Sequence, residues 1–536
     1  MAFLRIDKKD GEQYIRIVAS KRKDGKPTHQ TIYNLGKVSD YTSEQLKRFG
    51  TRFYELGGGD PRELLEGQIE ELGRYNYGYY QLFNKIFSHY RLDALLGRIS
   101  SRHKLEMNLA NAVMLMLLER LHAPCSKLQN YIHQEEYLGI EPVELHQLYR
   151  SLDYLAKYQD QIQQYIYQPA RDLFNNSLDV VFYDVTTFYF ESEVEQENEL
   201  RQKGFSKDGK IGNTQILFGL LIDKNKQPIG YRIYKGDTFE GHTFEKAILQ
   251  LKEQYQIKNI ILVADRGMLN RNNIQTAEAH QFEYIIGEKL KTLPQPIQSG
   301  LIEEANYKDT WTYNLHGEVI RVKYHTIEYE GRKIICTYSE KRAKKDKEDR
   351  EERIEKARHL LKYPQQLKRK VRHYFIQAKD ATTFILDEEK IKRSEQYDGY
   401  LAIATNAKEL STEAVLDNYR HLYQIEHSFR TFKTHLETRP MFHWTDTRIE
   451  GHICLCYIAY ALLTHVQNIL HKRGSKLSEA DIRNAVDAMQ VSLIKNKAEH
   501  FYLRSANKEN IDLLINRLGL KKLPNIFKQR ELNHYL

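Results

Sequence analysis

The chain has 536 residues, with 81 Lys+Arg against 72 Asp+Glu and a net charge of +9. A hydrophobic content of 41% fills sizeable cores, so a wholly disordered chain is excluded, and the length suits about three or four domains. The four cysteines, Cys125, Cys336, Cys454 and Cys456, lack the C-x-x-C spacing of a zinc or redox motif, and a reducing setting is expected.

The moderate basic excess suits a polyanionic partner without requiring one. The 37 tyrosines serve cores and can also stack on nucleic acid. MAFLRIDKKDGEQ contains no signal-peptide apolar region, so a cytoplasmic protein is expected. The longest apolar run, Ile453 to Leu463, is shorter than the roughly 17–25 residues of a spanning helix. It is expected to be a buried helix, with Cys454 and Cys456 in the core, and no membrane partner is expected.

In chain order, residues 1–40 read as a β-hairpin region. Two β-rich runs flank an Asp-Gly turn with a basic tip of Lys21, Arg22, Lys23 and Lys26, expected to be solvated, with a DNA-touching tip as the alternative. Residues 41–175 read as helical, a candidate DNA-end-binding module or a scaffold. MNLANAVMLMLLERLHAP is strongly apolar, and YLAKYQDQIQQYIYQPARDLF is expected to break at its proline.

Residues 176–291 change to strands. VVFYDVTTFYF, QILFGLLID and IGYRIYKGD are β runs, the last two joined by a short turn and so expected to pair antiparallel. HTFEKAILQLKEQY has helical spacing, NIILVADRG reads as a strand buried on both faces, and FEYIIGEKL follows another helix. The order β-β-β-α-β-α-β gives a mixed sheet covered by helices. Residues 292–397 are expected to form a β-rich insertion domain with a charged, solvated helix. Residues 398–470 return to the sheet and a helix, and 471–536 read as a helical tail without a motif.

Three carboxylates carry the chemistry. Asp184 interrupts an apolar strand, Asp265 ends another, and Glu426 is expected on the inward stripe 415, 419, 422, 426, 429, 433, 436 of one long helix. Buried carboxylates need a partner or a metal ion. Each also has a plainer reading: a strand-end turn for Asp184, a turn or an ion pair with Arg266 for Asp265, and pairing with Lys433 or Arg430 for Glu426. Together they suit two-metal-ion phosphodiester chemistry.

FYDVTTFYFES, KGFSKDGK, NTQILFGLLID, IGYRIYKGDTFEGHTF, VADRGM, YLAIATN and YRHLYQIEHSFRTFKTHLETRPMFHWTDTRIEGHICL together resemble an insertion-sequence transposase of the DDE type, in the IS-four-like group. The N-terminal hairpin ending in NLGK resembles it too. The resemblance implies an α/β fold: an RNase H-like mixed sheet with flanking helices, a β-rich insertion domain and a helical N-terminal module. It implies Asp184, Asp265 and Glu426 as catalytic metal ligands for two magnesium ions, with manganese able to substitute.

The group's Y-(2)-R-(3)-E-(6)-K signature matches Tyr419, Glu426 and Lys433, but Leu422 stands at the arginine position. Tyr419 and Lys433 are implied near DNA phosphate, and Arg420 or Arg430 could supply the missing contact. Lys207, in the basic loop with Arg201, Lys203 and Lys210, and Arg266 are further DNA-contact candidates. Trp444 could stack on an unpaired base or pack in the core, with Arg439 and His443 beside it. His452 reads as a core histidine, and Glu191 and Glu193 carry no assigned role. The implied function is nicking at the element's ends followed by attack of the freed 3′-hydroxyl on target DNA. The implied partners are double-stranded DNA, both terminal inverted repeats and target, and a second copy of the chain. The rivals are a metal-dependent nuclease that does not join strands and a DNA-binding protein with a decayed site.

Overall fold

The computed structural model describes residues 2–23, 26–59, 69–173, 180–195, 199–204, 212–255, 260–265, 267, 271–315, 317–362, 375–378, 384–496 and 499–536. They form two compact units. The first comprises Met1–Arg74, Val491–Ser505 and Pro524–Leu532, and the second the remainder.

The first unit opens with an antiparallel meander of β1 (Ala2–Lys9), β2 (Glu12–Lys23) and β3 (Lys26–Lys37). The expected hairpin is β2–β3, whose Asp24-Gly25 turn lies outside the described residues. A second Asp-Gly pair, Asp10 and Gly11 at φ 55° and 81°, turns β1 into β2. Asp and Gly tolerate the left-handed backbone that such tight turns demand. Helix α1 (Ser43–Leu56) begins at a capping box: the Gln45 amide donates to Thr42 Oγ1 and the Thr42 amide to Gln45 Oε1. Strand β4 (Ile69–Asn76) follows.

The second unit starts with helices α2 (Gly78–His89), α3 (Leu92–Arg102), α4 (Leu109–His122), α5 (Lys127–His133), α6 (Leu145–Lys157) and α7 (Gln159–Leu173). Helix α4 is apolar almost all round and is buried accordingly. The expected break at Pro169 does not occur, since α7 continues to Leu173. Tertiary contacts hold α7 in place: its Gln163 Oε1 accepts from the Tyr231 amide at 2.8 Å, and such packing outweighs one lost helical hydrogen bond.

The central sheet contains β5 (Val180–Tyr189), β6 (Gln202–Lys203), β7 (Thr214–Asp223), β8 (Pro228–Lys235), β9 (Ile261–Ala264) and β10 (Glu283–Glu288), with α8 (Thr243–Glu253) and α9 (Arg271–Ala279) between strands. Strands β8, β7 and β5 are antiparallel neighbours, while β5, β9 and β10 run parallel. This 3-2-1-4-5 order is the RNase H-like arrangement. One face is closed by a core that includes Val181, Tyr183, Leu217, Phe244, Leu262 and Tyr284.

Residues 292–397 do not stand apart as a sheet of their own. After α10 (Gln295–Ile302), strands β11 (Asp309–Leu315), β12 (Glu318–Tyr329) and β13 (Arg332–Tyr338) extend the central sheet, because β13 pairs with β16 (Tyr400–Thr405) and β16 with β10. Among the described residues the sheet has ten strands. The charged helix α11 (Glu340–Leu361) is anchored rather than wholly solvated: buried Arg350 pairs with Asp398 and, at 3.4 Å, with Glu395. Strands β14 (Ile376–Ala378) and β15 (Phe384–Leu386) form a small ribbon packed with α11, and α12 (Glu388–Glu395) leads back to β16.

After β16 come α13 (Thr412–Arg420), α14 (Tyr423–Arg430), a π-helical turn over Thr431–His435, α15 (Asp446–Lys472) and α16 (Glu479–Asp487). Helix α15 is long and apolar enough to cross a membrane by composition, yet 78% of its most apolar window is buried inside the protein. Cys454 and Cys456 are core residues on it, as expected. The tail is not purely helical. Strands β17 (Gln490–Asn496) and β18 (Glu499–Arg504) pair antiparallel, and β19 (Ile526–Lys528) follows α17 (Glu509–Leu518). They complete a four-stranded sheet, β19-β18-β17-β4, in the first unit.

Candidate active site

The register of two parallel strands sets the site. Tyr183 of β5 pairs with Ala264 of β9. The next residue on each chain is an aspartate, Asp184 and Asp265. Val181, Tyr183, Leu262 and Ala264 all turn into one core. Strand alternation therefore directs Asp184, and Asp265 one step past β9, to the opposite face. Asp184 is half-buried, with Oδ1 accepting from the Val185 amide at 2.7 Å, and Asp265 is exposed.

That opposite face is covered by α14 and the π turn. Phe432 lies 6.4 Å from Phe188 and 5.1 Å from Phe218, and Phe429 lies 6.3 Å from Phe218 (ring centroids). Phe218 sits across from Thr186 in the β5–β7 ladder, and Leu220 across from Asp184. The α14 segment and the π turn thus lie over the β5–β7 pair. Glu426 lies three residues, about 4.5 Å of rise, before Phe429 on α14.

Glu426 does not lie on a buried stripe. Ile425, Ser428 and Phe429 are the buried residues of α14, and Glu426 is exposed. The expected single helix is broken at His421–Leu422. The His421 amide donates to both Asp417 O and Asn418 O, and the Leu422 amide to Tyr419 O at 3.1 Å. Such three-residue closures wind tighter than an α-helix and shift the phase of every residue beyond them. The three carboxylates are accordingly open to solvent or half-open. Among the described residues neither Asp265 nor Glu426 is held in an ion pair. Three hard oxygen donors of this kind fit magnesium or manganese.

The signature segment continues into the π turn, closed by the Leu436 amide on Thr431 O at 2.9 Å. Lys433 sits half-buried within it, and Glu479 braces it by accepting from Thr431 Oγ1 at 3.0 Å and pairing with His435 at 3.3 Å. Tyr419 is half-buried on α13 and Arg430 is exposed at the end of α14. Arg420 is already engaged, stacked 3.9 Å from the Tyr313 ring centroid and donating to Asn314 O at 3.2 Å. This contact with β11 disfavours it as the substitute for the missing signature arginine. Lys207, Lys210 and Arg266 lie outside the described residues.

Trp444 is not a core residue but is 56% exposed. Its ring lies 4.3 Å from the guanidinium of Arg201, which is buried rather than part of a solvated loop. Burial pushes the Arg201 pKa down, opposed by the charges of Glu199 and Asp446. Asp446 in turn accepts from the Leu200 amide at 3.1 and 3.2 Å, fastening the segment before β6 to the start of α15. Arg439 lies over the Tyr189 ring at 5.5 Å, and His452 is a core histidine as expected. The sequence reading missed the Arg201–Trp444 stack. It also missed a cluster of Glu119, Cys125 and His133, whose ligand atoms lie within 4.8 Å of one another. No short motif announces either one.

Fold and site together define an RNase H-like α/β core carrying strand-borne carboxylates on one face. Residues 176–462, more than half of the chain, match the family described as transposase DDE domain. The chain belongs to the DDE-domain transposases and is a DNA-processing enzyme of the insertion-sequence type. Residues 4–52 match the N-terminal domain of IS1634 family transposases. The chain is similar to the piggyBac transposase in a synaptic complex with hairpin DNA, at 8% identity and TM-score 0.37, covering 85% of this chain and 83% of that one. It is also similar to the Mos1 transposase in a paired-end complex with its left transposon end, at 14% identity and TM-score 0.15, covering 36% and 57%. No curated protein matches the chain. Family membership implies use of a divalent metal.

Proposed function

We propose that this transposase cuts and joins DNA at the ends of its own element, with Asp184, Asp265 and Glu426 as the metal-holding carboxylates. The observation that carries the reading is the paired register of Asp184 and Asp265 on one face, with α14 packed over it. Two magnesium ions about 3.5–4 Å apart would supply an activated oxygen nucleophile and a stabilised leaving oxygen. Asp184, central on β5, is assigned to both ions, and Asp265 and Glu426 to one each. Lys433, Tyr419 and Arg430 orient phosphates, and Trp444 presents a face to an unpaired base. Lys207 and Arg266 are assigned to DNA backbone contacts. A dimer on DNA follows from the need to hold two ends together, and the cytoplasm is the proposed setting.

The test uses the full chain, labelled DNA carrying the ends that flank its gene, and magnesium or manganese. Wild-type protein is expected to cleave at the ends and yield joined products. Asp184→Ala should lose cleavage by about 10³-fold or more, several kcal/mol of transition-state stabilisation, while still binding the ends. Persistent cleavage by the variant defeats the carboxylate assignment. Cleavage without joined products favours a nuclease, and binding without any breakage favours a decayed site.

A further inference from the structure

We infer that Glu119, Cys125 and His133 form a binding site for a zinc-class divalent ion, separate from the carboxylates on the sheet. Glu119 lies near the end of α4, Cys125 just before α5, and His133 at the end of α5. A thiol and an imidazole converge on one carboxylate oxygen. Cys125 Sγ donates to Glu119 Oε2 at 2.8 Å, and His133 Nδ1 lies 3.3 Å from the same oxygen. Around a tetrahedral zinc, nitrogen and oxygen ligands stand about 3.3 Å apart and sulfur and oxygen about 3.5 Å. Relative to Glu119 Oε2 the histidine is therefore already at ligand spacing, and the thiol stands about 0.7 Å too close.

A supporting shell is also present. Asn130, 1% exposed, donates from Nδ2 to Cys125 Sγ at 3.0 Å and to Glu119 Oε2 at 3.3 Å. Its Oδ1 accepts from buried Lys127 at 3.3 Å. Outer hydrogen bonds of this kind fix ligands for a metal. Glu119 is buried, whereas Cys125 and His133 are half-exposed, which leaves a path for an ion and room for a water as fourth ligand. A mixed sulfur, nitrogen and oxygen set selects zinc or cobalt over magnesium. The neighbouring Arg120 donates from Nη1 to Leu436 O at 3.1 Å, directly after the π turn that bears Lys433. The ion thus clamps the helical layer next to the end of the signature segment.

Cobalt(II) is titrated into metal-free full-length protein and followed by absorption. One equivalent with a thiolate charge-transfer band is expected, unchanged in Asp184→Asn and absent in Cys125→Ser. His133→Gln, at a half-exposed position that should fold normally, is expected to weaken binding by about 10–100-fold or more. Zinc should raise the thermal midpoint of wild type but not of Cys125→Ser. Folded wild-type protein without the thiolate band overturns the inference, as does an identical spectrum from Cys125→Ser.

Discussion

Trp444 exposes most of a large apolar ring to water while a buried guanidinium supports its other side. A cation held against the ring stiffens it in one orientation and lowers the entropy lost when a base stacks on the free face. Replacing Trp444 by alanine is expected to weaken binding to DNA with an unpaired end base by about 1–3 kcal/mol, roughly 5- to 150-fold in Kd. Trp444→Phe should recover most of that, and the unfolding midpoint should barely move. Equal affinity of the alanine variant in a fluorescence-anisotropy titration would dismiss the stacking role. The ring's environment was not legible beforehand. A tryptophan between two helices packs inward by default, and the pairing with Arg201 joins residues 243 positions apart (444 − 201).

Helix α15 crosses α6 where Gly451 meets the Leu152 backbone, so closely that an added Cβ would stand 2.1 Å from the Leu152 carbonyl oxygen. Backbone cannot give way as a flexible side chain can. Gly451→Ala should therefore destabilise the protein by about 3 kcal/mol, toward the upper end of overpacking effects. Gly97→Ala, at an exposed position of α3 with nothing within 4 Å, is the matched control and should be neutral or stabilising by about 0.5–1 kcal/mol. Urea unfolding of the pair decides it: similar midpoints would remove the crossing from the account. Element order in the sheet was readable because each strand carries its own alternation or apolar run, and the aspartates stood out against that pattern. The phase of Glu426 was not readable, since the break at His421–Leu422 has no proline or glycine to mark it. The strands at 490–504 were passed over because both are short and charged at their edges.

The molecule as a whole should lose stability in mild acid. His465 accepts or donates at Nδ1 to Tyr90 at 2.8 Å, and its pKa is pushed down to about 4 by burial, with His89 and Lys472 adding to the shift. His443 is pushed down to about 4 for the same primary reason. Between the unfolded value of about 6.5 and the folded one, the unfolded chain takes up protons that the folded chain refuses. Their contribution is whole above pH 6.5 and is lost as pH falls toward 4, about 2 kcal/mol for each by pH 5. Buried Asp223, pushed up to about 6 by desolvation, acts the other way. It favours the folded state below its unfolded value of 3.8 and loses that advantage as pH rises through 6. Two histidines outweigh one aspartate over most of this window. His465→Gln should flatten the decline between pH 7 and 5 in urea titrations, and an unchanged slope would refute that origin.

Strand β16 is hydrogen-bonded on both sides, to β10 within the RNase H-like core and to β13 beyond it. Residues 292–397 are thus no detachable cassette. Excising them would bare one side of β16 beside the site, an open row of amides and carbonyls ready to pair with another chain. A shortened transposase made that way should precipitate or self-associate even with all three carboxylates intact. Trimming confined to α11 and the β14–β15 ribbon leaves the sheet edge covered.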